Sequence, residues 1–118
     1  MKQRILDLLN DEVYDICEDF TMEEVADLVN DIVTNIQKRV TPYSISLCGQ
    51  ITANLGKYQF DVSQRLKGTV SCSDTEEGET AVSKTAYFPY YYDSEDPDAG
   101  LKNLIEMINE SWYHCVNC

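Results

Sequence analysis

The chain has 118 residues, the size of one domain, and sets 21 Asp and Glu against 9 Lys and Arg, a formal charge of −12. That balance argues against direct nucleic-acid binding, which needs a basic face toward phosphates, and against an anionic membrane surface. With 43% hydrophobic residues and only 5 Gly and 3 Pro, the chain can still bury a core and is not low-complexity.

Residues 3–19 read as a first helix: Ile5, Leu8, Leu9, Val13, Ile16 and Cys17 recur at helical spacing, and Phe20 closes the segment. A second helix opens at Thr21-Met22-Glu23-Glu24, a capping box in which the Thr hydroxyl accepts from the third helical N–H and Glu24 reaches back. Its apolar face is Val25, Leu28, Val29, Ile32, Val33 and Ile36. Lys38 and Arg39 suit the C-terminal end of the helix dipole, and Pro42 prevents continuation.

The period then changes to two. Ile45, Leu47, Gly49 and Ile51 alternate with polar neighbours and Cys48, and Asn54-Leu55-Gly56-Lys57 carries turn chemistry. Over 58–72 one register persists. Even positions Tyr58, Phe60, Val62, Leu66, Val70 and Cys72 are apolar, interrupted by Gln64 and Gly68, and every odd position is polar. This predicts one long strand, bent or bulged near Gly68. Residues 74–79 form an acidic hairpin loop. A third strand follows to residue 91, with Val82, Ala86, Phe88 and Tyr90 on one side and Pro89 marking an edge or exit. An acidic loop over 93–98 leads to a final amphipathic helix carrying Leu101, Leu104, Ile105, Ile108, Trp112 and Cys115. The expected fold is a single α+β domain over residues 1–118 in the order α-α-β-β-β-α, a three-stranded antiparallel meander with helices packed on one face.

The five cysteines (Cys17, Cys48, Cys72, Cys115 and Cys118) are odd in number and form no disulfide framework. Acids appear by residue seven, and no apolar run is long enough for a signal peptide or a membrane span. The expectation is a cytoplasmic protein with free thiols, most of them packed as small hydrophobes. His114-Cys115-Val116-Asn117-Cys118 holds one CxxC, but a structural zinc site needs a second ligand pair, and a redox CxxC opens a helix rather than ending one. His114 and Cys115 are helix neighbours and do not face each other. A carboxylate pair such as Asp61 and Asp93 is expected by chance among 21 acids, and Asp93–Asp98 lacks the spacing and glycine of a calcium loop. No Gly-rich phosphate loop is present. The reading is a non-enzyme with no catalytic residue, no metal and no cofactor.

Charge placement is more informative. Asp7, Asp11, Asp15 and Asp19 follow one another at four-residue spacing in the first helix, as do Glu23, Asp27 and Asp31 in the second. Both sets lie opposite the apolar stripes, at a pitch of about 6 Å per step, comparable with the phosphate spacing along one DNA strand. Like charges at this spacing destabilise a helix by about 0.2–0.5 kcal/mol per pair. Yet no Lys or Arg interrupts residues 5–37, where a chain selected only for solubility would intersperse them. Two readings stand: a solvated face of an acidic protein, or ladders that bind a basic partner. A second candidate is Tyr90-Tyr91-Tyr92-Asp93-Ser94-Glu95-Asp96. Three consecutive tyrosines in a strand cannot all be core, so Tyr91 or Tyr92 is exposed beside Asp93, Glu95 and Asp96, a combination suited to an Arg-rich partner. Alternatively, Tyr90 is core and the others cover loop edges.

In length, charge, helical acid ladders and the tyrosine-acid segment, the chain resembles small acidic phage proteins that inhibit host defence, the anti-CRISPR and antirestriction DNA mimics. The resemblance implies a stoichiometric inhibitor that occupies the DNA site of a basic nucleic-acid-binding protein, such as a CRISPR nuclease, in the host cytosol. Partner contact would fall to Asp7, Asp11, Asp15, Asp19, Glu23, Asp27, Asp31 and the tyrosine-acid segment. The competing expectation is an immunity-type or adaptor protein-interaction module whose acidity serves solubility.

Overall fold

A computed structural model describes residues 2–39, 50–64, 68–78, 80–85 and 98–117. Three helices, α1 (Lys2–Asp11), α2 (Ile16–Asp19) and α3 (Met22–Arg39), precede four strands, β1 (Gln50–Leu55), β2 (Tyr58–Gln64), β3 (Gly68–Asp74) and β4 (Thr80–Thr85), and α4 (Ala99–Val116) follows. The strands form one antiparallel sheet in the order β1-β2-β3-β4. The α+β class and the antiparallel meander are as expected, with one more strand and one more helix than the sequence pattern suggested.

The extra helix arises because the segment 3–19 breaks. The chain leaves helical geometry after Asp11 and restarts at Ile16. Val13, expected on the apolar stripe, is 92% exposed, and Tyr14 is buried in its stead. The apolar face of α1 is thus Ile5, Leu8 and Leu9, and that of α2 is Ile16. The restart is held from afar: the Ile16 N–H donates to Oδ1 of Asn109 on α4 at 2.9 Å. One orphan donor of a helix start is thereby satisfied by another element. The capping box of α3 forms as expected, with the Glu24 N–H donating to Thr21 Oγ1 at 3.1 Å and the Thr21 N–H to Glu24 Oε1 at 3.4 Å.

The extra strand arises because the expected long strand folds back on itself, with Gln64 pairing Gly68. In this hairpin even-numbered residues pair with even-numbered ones, Val62 with Val70 and Phe60 with Cys72. The inward parity therefore passes through the reversal unchanged, and alternation alone could not reveal it. The other two hairpins invert parity. Phe60 pairs with Ala53, and Ser71 with Val82. Ala86, Phe88 and Tyr90, expected on the same side of this strand as Val82, lie outside the described residues.

Helices cover one face of the sheet, α3 against β1 and α4 against β3 and β4. Phe60, Val62, Val70 and Cys72 are buried beneath Val25, Val29, Ile32, Leu104, Ile105 and Ile108. The opposite face is polar. Thr52 Oγ1 donates to Asp61 Oδ1 at 2.7 Å, and Ser63 and Thr69 share a hydroxyl contact at 2.8 Å.

The β1–β2 turn has only Gly56 and Lys57 between the paired residues Leu55 and Tyr58. Gly56 has φ of +59° whereas Lys57 keeps a negative φ, the sign pattern of a type II′ turn, which favours Gly first. A Cβ at Gly56 would also lie 3.3 Å from the Phe20 ring. Gly56→Ala is expected to lower stability by about 1–2 kcal/mol, read from the urea midpoint.

Candidate protein-binding surface

The acids of the first two helices are exposed but do not form one ladder. Asp7 and Asp11 lie on α1, Asp15 stands at the N-cap of α2 without a side-chain capping bond, and Asp19 ends α2. The expected uninterrupted row from Asp7 to Asp19 is therefore corrected to two short rows separated by the break at 12–15. Glu12 and Glu18 add to the exposed acids there. Val13 projects among Asp11, Glu12 and Asp15 in the sequence, an apolar side chain within an acidic segment. Sequence periodicity missed it because Val13 and Tyr14 are both apolar enough for the core, and only their packing decides which turns inward. Burial first, then the nearby Glu12 and Glu106 charges and a hydrogen bond to Glu12, push the Tyr14 hydroxyl up to about 12, so it remains a protonated donor.

On α3, Glu23, Asp27 and Asp31 are all exposed, as the spacing predicted. Two of them are countered. Lys2 Nζ lies 2.8 Å from Glu23 Oε2 and 3.0 Å from Asp27 Oδ1. Hydrogen bonds to Glu23 and Asp27 hold the Lys2 ammonium above its ordinary range, so it is charged at any physiological pH. Lys2 precedes the cation-free stretch 5–37, and the first helix carries it to α3. Glu24 is committed to the capping box. Among the described residues, no cation pairs with Asp7, Asp11, Asp15, Asp19 or Asp31; Asp7 accepts from Gln3 Nε2 at 3.0 Å. Arg4 instead pairs with Asp98 at the start of α4. Tyr91, Tyr92, Asp93, Glu95 and Asp96 lie outside the described residues.

A different acid leaves the surface altogether. Asp74, expected in an acidic hairpin loop, is buried, and its Oδ2 meets Lys57 Nζ at 3.1 Å. Its Oδ1 accepts the N–H groups of Glu76 and Glu77 at 3.0 and 3.1 Å, organising the turn. Thr75 joins that turn to the neighbouring hairpin by donating N–H and Oγ1 to the Lys57 carbonyl at 3.0 and 2.6 Å. Burial pushes the Asp74 carboxyl up, but the Glu77 N–H, the Lys57 side chain and the Glu76 N–H together outweigh it and hold the carboxyl below its ordinary range. A depressed carboxyl stabilises the fold above its unfolded value near 3.9, and that contribution is lost as pH falls through the lower folded value. The parent should therefore lose stability below about pH 4, and Asp74→Asn should be less stable at neutral pH and show a shallower acid limb. Thermal unfolding between pH 2 and 7 measures both.

Among the described residues, no group of three or more His, Cys, Asp and Glu is placed to hold a metal ion, and no helix is long and apolar enough to cross a membrane. No family model, no curated protein and no solved structure matches the chain.

Proposed function

We propose that the chain is a non-catalytic, stoichiometric inhibitor that binds a basic nucleic-acid-binding protein and blocks its DNA site by charge mimicry. Within that class, the resemblance to phage anti-CRISPR and antirestriction proteins favours a host nuclease such as a CRISPR effector, met in the host cytoplasm. The observation that carries the reading is the set of exposed carboxylates, Asp7, Asp11, Asp15, Asp19 and Asp31, without cationic partners among the described residues. Such a surface raises the local concentration of a positively charged cleft and speeds encounter. Shape then decides retention, and the exposed Val13 supplies an apolar contact amid the charge.

One observation favours the alternative, an immunity-type or adaptor module whose acidity serves solubility. Lys2 neutralises part of the α3 row, as a chain relieving its own repulsion would. A pull-down from host lysate separates the two. Capture of a nuclease that dissociates as salt rises, and whose DNA binding is lost at one equivalent of the chain, supports inhibition. Capture that is insensitive to salt, or of a partner that retains its DNA binding, supports the adaptor.

A further inference from the structure

The two edges of the sheet are not alike. β1 has β2 on one side and, among the described residues, no strand on the other. Of the described strands it alone carries no charged residue, and it holds no proline. β4, at the opposite edge, carries Lys84, and an edge lysine is one of the devices that keep further strands from adding. The ladder fixes where the edge groups of β1 point. The Lys57 carbonyl accepts from the Thr75 N–H at 3.0 Å, so the backbone of Lys57 and Gln59 faces β3, and that of Tyr58, Phe60 and Val62 faces β1. Their partners Leu55, Ala53 and Ile51 bond back to β2, which leaves the N–H and C=O groups of Gln50, Thr52 and Asn54 directed away from the sheet. Thr52 and Asn54 are exposed, whereas Ile51 and Leu55 are buried and Ala53 half-buried on the face that α3 covers.

We infer that the outer edge of β1 is a docking site for an extended, basic segment of another protein, which adds to the sheet as a further strand. Main-chain hydrogen bonds to Gln50, Thr52 and Asn54 supply the affinity, and alternate side chains supply the selectivity. Side chains level with Ile51, Ala53 and Leu55 lie on the α3 side and are apolar. Those level with Thr52 and Asn54 face water, where the net charge of −12 favours Lys or Arg. A second copy fits worse. Neighbouring strands lie about 4.8 Å apart whereas packed helices need about 8–10 Å, so two α3 helices, each resting on its own β1, would collide. Two chains of −12 also repel each other. A lone basic strand brings neither the helix nor the charge. The site is separate from the α1–α2 carboxylates, so it stands or falls apart from the inhibitor reading.

The test titrates a synthetic heptapeptide of alternating valine and lysine into the full chain and reads backbone amide exchange residue by residue. Exchange at Thr52 and Asn54 should slow by about tenfold when the peptide is at about ten times its Kd, with β4 unaffected. Two peptides N-methylated at alternate amides give the second measurement, with the protein itself unaltered. Methylation of one set removes the donors that face β1 and should weaken binding by at least about tenfold, whereas methylation of the other set should change it by less than about threefold. Equal weakening by the two sets would mark charge attraction to the acidic helices alone and overturn the assignment. Unchanged exchange at Thr52 and Asn54 would overturn it too, as would slowing there that grows with chain concentration in the absence of peptide, since the occupant would then be a second copy.

Discussion

Asp11→Lys combined with Asp15→Lys is expected to slow association with a captured basic partner by about ten- to a hundredfold at low salt, while changing the unfolding midpoint little. The two side chains are exposed on either side of the break between α1 and α2, and among the described residues neither pairs with a cation. Each reversal replaces an attractive charge with a repulsive one at the surface proposed to steer encounter. The slope of association against salt should flatten correspondingly, because fewer favourable charges remain to be screened. Asp11→Asn with Asp15→Asn should fall between parent and reversal. The matching pair on α3 is a poorer probe: Asp27→Lys would set a second ammonium against Lys2 and disturb α1 as well as the surface. If the α1–α2 reversal inhibits DNA binding as well as the parent at low salt, these carboxylates are not the binding surface.

Phe60→Ala should cost about 3–5 kcal/mol, a large share of a total stability of about 5–15 kcal/mol. Phe60 is fully buried on β2, between Ala53 on one neighbouring strand and Cys72 on the other. Helices close the third side, so little can collapse into the space that the ring vacates. Urea unfolding should show a lower midpoint with an unchanged slope, since the same surface is exposed on unfolding. A cost below about 1 kcal/mol would mean that this face is not the core.

The sequence carried those parts of the fold that are local. The Thr21–Glu24 box, the helical face of Val25 to Val33 and the apolar face of α4 were legible because each depends on residues within one or two turns. The inward set Tyr58, Phe60 and Val62 was legible for the same reason, but the reversal after Gln64 was not. A hairpin that preserves parity and a straight strand write the same alternation. The break after Asp11 was hidden by the choice between Val13 and Tyr14, which packing against the rest of the core makes. The candidate surface divides along the same line. Exposure of the acids followed from helical spacing, but Lys2 meeting Glu23 and Asp27 joins two helices, and Asp74 leaves the surface because a lysine from the next hairpin receives it.

The bond from the Ile16 N–H to Asn109 has a consequence for the order of events during synthesis. A four-residue helix has too few internal hydrogen bonds to persist alone, since the first turn is the costly one. Its N-terminal donor finds this acceptor only after residue 109 has left the ribosome and α4 has docked. The start of α2 is therefore completed by a residue synthesised 93 positions later, and it waits, partly formed, until α4 follows. A contact spanning 93 residues also adds to the average separation of native contacts, a quantity with which folding slows. Truncating the chain before α4 should accordingly leave the α1–α3 region unable to hold its native arrangement, even though all of its own residues are present.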